Sequence, residues 1–483
     1  MGIAASRSGL LAGAVLLAGL ATPALADDLR DALATAYRTN PTLEAARANQ
    51  RATDENVPIQ RAAGLPSVSG NAQHVEILRK SDNSPTGPRR LFSADVSLSV
   101  PIYAGGAVRN GLKAAKTRVE AGQADLRGTE SAIFSAVVGA YMDVILSEAV
   151  VSLNRKLVEV LEVNLQATSD RFEIGDLTRT DVAQSQARLA LARGDTRTAE
   201  ANLAGARERY IQLVGKPPVA LEPPPPLPNL PAGAEEAVAA ALEANPDIIA
   251  ARERAKASEY DINVAGAGRL PRIDVFTSAG YDDYFGTLGG AAAAGIAQSE
   301  KSAQAGVRAS IPLFQGGRPA AQRRQAQAHA QAAMETEIAT ERDVVAQTRA
   351  AFSSWRAANE LLASNQAAGD AAELSLEGVR AENSVGNRTI LDILDAEQEL
   401  LSTRVRLVTA RRNAYVAGFT LLAAMGRAEA KDLNLDGGAL YDPDVNYRRV
   451  RGKVFDWDDD PAPVARSTRT VDTPVQDSSI QGQ

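Results

Sequence analysis

Between Ala107 and Ile174 apolar residues return every seven positions, at Val137, Val144, Val151, Val158, Leu165 and Phe172. That recurrence is the seam of a helix packed lengthwise on its neighbours, and at 1.5 Å per residue it predicts a rod about 100 Å long. Gly175 ends the pattern and a second heptadic run follows. Val182, Leu189, Thr196, Leu203 and Tyr210 occupy one position, with Ser185, Ala192, Ala199, Ala206 and Leu213 three residues on. After Gly386 the same layout returns, with Ile393, Leu400, Leu407, Ala414 and Leu421 beside Ala396, Thr403, Ala410, Ala417 and Ala424. Large residues facing a column of alanine let helix axes approach closely. An ordinary soluble coiled coil would explain these helices equally well.

A second pattern has period two. In Phe92 to Tyr103, Val96, Leu98, Val100 and Ile102 alternate with Asp95, Ser97, Ser99 and Pro101. Val307, Ala309, Ile311 and Leu313 alternate in the same way with Arg308, Ser310 and Pro312. Such alternation fits either a transmembrane β-strand with one lipid face or a half-buried strand of a soluble sheet. Aromatic residues at both ends favour the membrane: Tyr103 and Phe314 beside the helices, Phe92, Tyr284 and Phe285 opposite. Strands are expected at about 65–78, 92–103, 271–285 and 304–314. In the first of them His74 and Glu76 spoil the lipid face, the register is open, and a bulge near Gly70 is one solution.

The two patterns form one unit written twice. Asn40-Pro41 and Leu65-Pro66 recur 205 residues later as Asn245-Pro246 and Leu270-Pro271. From Pro101 onward the offset is 211, which aligns Gly105-Gly106 with Gly316-Gly317, Gly175 with Gly386, Asp181 with Asp392 and Gly215 with Gly426. Between the copies, Lys216 to Gly233 holds eight of the 23 prolines and reads as a stiff extended connector. The expected organisation is a first repeat at 27–215, the connector at 216–233, a second repeat at 234–426, a C-terminal segment at 427–460 and a disordered tail at 461–483. Four strands cannot close a barrel, and open edges are not tolerated in hydrocarbon. Three chains would supply twelve strands and a usable lumen, where two would be too narrow.

Export is expected from residues 1–26, where Arg7 precedes an apolar run and Ala24-Leu25-Ala26 offers a cleavage site. Loss of Arg7 would take the formal net charge from -7 to -8, which argues against a nucleic-acid partner. No cysteine is present, so neither disulfides nor a lipid-anchoring N-terminal cysteine is available. Aromatics make up only 4% of the chain and alanine is abundant, a composition for close-packed helices. The two histidines, His74 and His329, belong to no metal or hydrolase motif, and no phosphate-binding glycine loop appears. No enzyme activity, cofactor or metal is expected.

VPIYAGG and IPLFQGG at the strand-to-helix junctions, GDLTRTDV and GNRTILDILDAEQEL at the helix breaks, and LVG and AMG at the ends of the long helices carry a family resemblance. The chain resembles the TolC-like outer-membrane efflux proteins over essentially everything after the signal. The resemblance implies a mainly α fold with membrane β-structure: a homotrimer whose twelve-stranded barrel in outer-membrane lipid continues as a long periplasmic helical barrel. It implies a passive exit duct coupled by a periplasmic adaptor to an inner-membrane pump or ABC transporter. It also implies that Asp392 and Asp395, on one helix face, ring a cation-selective periplasmic aperture, with Thr180, Asp181 and Arg388 in a gating network. A tyrosine expected in that network is Asn383 here. Aspartates three apart near a helix N-terminus are also simply favoured by the dipole. The rival readings are a soluble periplasmic coiled-coil adaptor and a structural coiled coil, which membrane fractionation would separate from a duct.

Overall fold

The structure, a computed structural model, describes residues 28–80, 86–289, 294–435 and 440–480. The expected signal at 1–26 lies outside the described residues. The first repeat runs through α1 (Leu29–Thr39), α2 (Pro41–Asp54), α3 (Asn56–Ala62), β1 (Ser67–Glu76), β2 (Arg90–Ala104), α4 (Ala107–Glu173) and α5 (Arg179–Val214). The second runs through α6 (Ala234–Ala244), α7 (Pro246–Gly266), β3 (Arg272–Asp283), β4 (Ser299–Ser310), α8 (Arg318–Ser384) and α9 (Ile390–Ala424). A short α10 (Pro443–Val450) follows.

The repeated Asn-Pro pairs join helix ends. Proline fills the first helical position, where its missing N–H is harmless. The Asn40 side-chain oxygen accepts from the Thr42 and Leu43 amides at 3.0 and 3.3 Å, while its Nδ2 donates to the Leu213 carbonyl at 2.9 Å. Asn245 does the same, accepting from Asp247 and Ile248 and donating to the Ala424 carbonyl at 2.9 Å. One asparagine thus caps the start of one helix and the end of another. Gly426 completes the second joint at φ +71°, with the Ala244 carbonyl oxygen 2.5 Å from where a Cβ would sit.

The four strands form one antiparallel sheet in the order β1-β2-β3-β4, so the repeats meet at β2 and β3. Among the described residues no strand covers the far edge of β1 or of β4. Register places Val68, Leu98 and Thr277 on one face with Val96, Ala279 and Ala303, and Val100, Val275 and Val307 in the next row. The opposite face is polar: the Ser69 and Ser97 hydroxyls lie 2.9 Å apart, Asn71 donates to Asp95 at 3.1 Å, and Gln304 donates to Ser278 at 3.0 Å.

The pairing of β1 with β2 is continuous from Ser67 to Glu76, so the bulge expected near Gly70 is absent. His74 and Glu76 share the apolar face, but at its outer end, beside Phe92 and Arg90; Arg90 donates to Glu76 at 3.3 Å. Instead the irregularity lies in β2 between Pro101 and Tyr103, where proline has no N–H to offer the ladder. β4 stops at Ser310 rather than continuing to 314, and Pro312 follows. The outer loops join each other through Thr287, whose hydroxyl accepts from the Arg89 and Arg90 amides at 3.1 and 3.0 Å.

The main core sits at mid-height of α4, where Phe134, Val137, Tyr141 and Val144 meet Leu33 and Tyr37 of α1, Leu203 and Tyr210 of α5, and Phe419 and Leu422 of α9. Toward the tip the α4 seam thins, and Phe172 is exposed. The segment past Asp460, expected to be disordered, has no helix or strand among its described residues but is held against α4 and α5. Arg207 donates to the Asp477 and Ser479 carbonyls at 2.7 and 2.8 Å, and Arg155 to Ser478 at 3.1 Å. The buried Arg207 and the half-buried Arg155 supply anchors that the tail's own composition does not reveal.

Candidate functional site

Each long hairpin ends in the same turn. Gly175 and Gly386, both at φ +84°, close α4 and α8. The amide of the next residue, Asp176 or Asn387, reaches back to the carbonyl of Arg171 or Glu382 at 2.9 and 3.0 Å. A threonine then opens the second helix. Thr178 donates to the Asp181 carboxylate from its amide and hydroxyl at 2.8 and 2.7 Å, and its hydroxyl accepts from the Asp181 amide at 3.3 Å. Thr389 and Asp392 repeat the arrangement at the same three distances. These are capping boxes, which the sequence reading missed although the Thr-x-x-Asp spacing signals them. The threonine hydroxyl, then its amide, holds both carboxyls below the usual aspartate range.

The expected aperture pair therefore has unequal surroundings. Asp392 is fixed by its cap, with an Arg388 nitrogen 3.8 Å away. Asp395 accepts from Arg188 of α5 at 2.6 Å, an ion pair that ties the two hairpins together. Arg188 had no sequence signal, because only the packing of α5 beside α9 brings it there.

The three expected gating residues are not brought together within one chain. Arg388 donates to Glu382 at 2.7 Å, Asp181 is engaged by Thr178, and Thr180 is exposed with no side-chain hydrogen bond among the described residues. At the first tip Arg171 pairs with Asp176 at 2.7 Å. The second tip has a clasp of reversed sign, with Glu382 standing where Arg171 does and Arg388 one place beyond Asn387, the counterpart of Asp176. Asn383 donates to the Arg388 carbonyl at 2.7 Å and so braces the turn from within.

At the other end of the rods, paired glycines turn strand into helix: Gly105 and Gly106 at φ +63° and +83°, Gly316 and Gly317 at +59° and +81°. A Cβ on Gly105 would lie 2.8 Å from Leu270 Cβ and 2.9 Å from the Ala267 carbonyl oxygen. The first junction is thus locked against the second repeat, while a Cβ on Gly316 or Gly317 would meet open space. Among the described residues no cluster of histidine, aspartate and glutamate is placed to hold a metal ion. His329 is exposed on α8.

Comparison with known proteins agrees with this geometry. The family model described as outer membrane efflux protein matches residues 32–216 and 237–427. The outer membrane efflux protein BepC of Brucella suis is 33% identical over 452 residues, covering 92% of this chain and 96% of that one. The outer membrane protein TolC of Escherichia coli is 27% identical, with 94% of each chain covered. Among solved structures, the Campylobacter jejuni CmeC outer membrane channel superposes with a TM-score of 0.74 at 17% identity, over 88% of this chain and 89% of that one.

Proposed function

The chain belongs to the outer membrane efflux protein family, and from that premise we propose a specific working form: three chains closing one tube with a charged aperture at its periplasmic tips. The chain is an outer-membrane exit duct with its helical part in the periplasm, and it takes part in multi-component efflux or secretion assemblies. The carrying observation is the four-stranded sheet, apolar on one face, polar on the other and, among the described residues, unpaired at both edges. Unpaired backbone groups in lipid cost several kcal/mol each, so β1 of one chain must find β4 of the next. Three copies give twelve strands, enough for an aqueous lumen. The polar face lines that lumen and the valine face meets lipid.

In this reading the duct conducts passively and catalyses nothing. Its periplasmic tips meet the adaptor and inner-membrane pump or transporter, and cargo choice lies with those partners. Asp392 and Asp395 from three chains place six carboxylates around one constriction, which attracts cations and repels anions. Arg188 and Arg388 partly offset that charge. In planar bilayers the duct should show block by multivalent cations from the periplasmic side, and Asp392→Asn with Asp395→Asn should abolish it. Because Asp392 is held ionised by Thr389, part of the block should persist below the ordinary aspartate range, near pH 4. Unchanged block in the double variant would remove the aperture assignment while leaving the duct intact.

A further inference from the structure

Two exposed features lie on the two flanks of the chain, one on the side of β1 and the other on the side of β4. On the β1 flank, α10 packs against α2, and Tyr447 lies beside Ala115 and Val119 in the first turns of α4. Arg61 of α3 donates to the Arg451 carbonyl at 3.1 Å. The turn that follows projects Phe455 and Trp457, 79% and 89% exposed. Lys453 pairs with Asp458 at 3.0 Å and Arg449 with Asp460 at 2.6 Å, whereas Asp456 and Asp459 have no ion pair among the described residues. On the β4 flank, α8 begins at Arg318, the repeat counterpart of Ala107. Arg318 and Arg324 are exposed there, also without ion pairs among the described residues, and Phe314 just before them is 88% exposed.

We propose that the Gly452–Asp460 turn of one chain docks on the start of α8 of a second copy, as a latch outside the helical tube just below the membrane. This rests on the ring reading above, since pairing β1 with β4 brings these two flanks together. Arg318 and Arg324 lie about 9 Å apart along the helix and about a third of a turn apart around it, so Asp456 and Asp459, on either side of Trp457, would each meet one of them rather than both on a single face. The aromatic rings supply apolar area, and arginine faces stack on such rings. Like elements on one flank carry the acid and on the other the base, so the contact is directional and selects head-to-tail closure.

The absence of cysteine and the presence of only two tryptophans make the test direct. Asp459→Cys with Arg324→Cys, bridged by a short bismaleimide, should convert assembled protein into a covalent three-chain species on denaturing gels. Either single variant should give none. In a Trp355→Phe background, emission from Trp457 should be blue-shifted and shielded from acrylamide in the assembled protein. Arg318→Glu with Arg324→Glu should return it to a water-like spectrum. Assembled trimers that neither crosslink nor shield Trp457 would overturn the latch alone. A chain that stays monomeric in detergent would overturn the ring reading and the latch together.

Discussion

α4 and α8 have the same length, 67 residues, and hold the same place in their repeats, yet they are buried to very different degrees. α4 runs through the middle of the chain, between α5, α7 and α9, with α1, α2 and α3 laid on it. Along it Phe134, Val137, Tyr141, Val144 and Val151 are fully enclosed. α8 touches α7, α9 and α6, and most of its length is bare, with Met334, Ile338, Leu361 and Leu374 exposed. Equal repeats with unequal burial are what a ring segment looks like when cut from its neighbours. In the proposed ring, one flank carries its own cover and the other is left for the next copy.

The largest effect that tests this contrast should come from Phe134→Ala. Phe134 is 0% exposed, and emptying its site costs about 3–5 kcal/mol. Its counterpart Val345 is only partly buried, so Val345→Ala should cost about 1 kcal/mol or less in the single chain. Thermal unfolding of the detergent-solubilised protein would compare them, and equal losses would break the asymmetry. Next in size, Met334→Asp with Ile338→Asp should leave helix content by circular dichroism unchanged but prevent assembly, read by light scattering corrected for detergent. Trimers of normal mass in that variant would mean that this part of α8 faces solvent.

The repeat contrast also separates what residues announce from what packing decides. The heptads of α5 and α9, the alternation of β2 and the paired Asn-Pro and Gly landmarks are local, and they lie in the sequence as periods and offsets. Thr178 and Thr389 went unread, although each stands three residues before its aspartate, the spacing of a capping box. Arg188 beside Asp395, the sign-reversed clasps, and Arg155 and Arg207 on the tail were not legible. Each depends on which helix lies next to which, and side-chain spacing along one helix is silent on that. The register of β1 was hidden for a related reason. His74 and Glu76 look misplaced until the sheet places them opposite Phe92 and Arg90, at its outer rim.

Smaller but sharper is the comparison of the two glycines that end α5 and α9. Both adopt positive φ, +89° at Gly215 and +71° at Gly426. A side chain at either costs about 1–2 kcal/mol for the left-handed backbone alone. At Gly215 the added Cβ meets the Thr468 hydroxyl at 2.8 Å, which belongs to a tail able to shift. At Gly426 it meets backbone of Ala244 and Asn245, so the Asn245 joint itself must move. Gly426→Ala should therefore destabilise by about 3 kcal/mol and Gly215→Ala by about half that. Equal effects would mean that the tail is as rigid a wall as the joint.

The smallest effect concerns Glu130, a half-buried charge whose counterpart in the second repeat is exposed. Glu130 accepts from the Ala430 amide at 2.5 Å, and it faces Arg47 of α2 together with Glu429 and Lys431 of the C-terminal segment. Burial is the largest influence on it and, with Glu429, raises its pKa; the amide, Arg47 and Lys431 pull the other way without overcoming this. Its repeat counterpart, Glu341, is exposed. For a carboxyl whose folded pKa is raised, the folded chain binds more protons than the unfolded one between the unfolded value, about 4.3, and the folded value. Stability contributed by this group is therefore greatest at low pH and falls as pH climbs through that window, the reverse of what Asp181 and Asp392 contribute. Glu130→Gln keeps an acceptor for Ala430 and removes the charge. It should raise the unfolding temperature at pH 7, narrow the gap between variant and parent at pH 5, and leave Glu341→Gln indistinguishable from the parent at both. A Glu130→Gln protein less stable than the parent at pH 7 would show that attraction to Arg47 and Lys431 outweighs desolvation, and that the first repeat buries this charge at a gain.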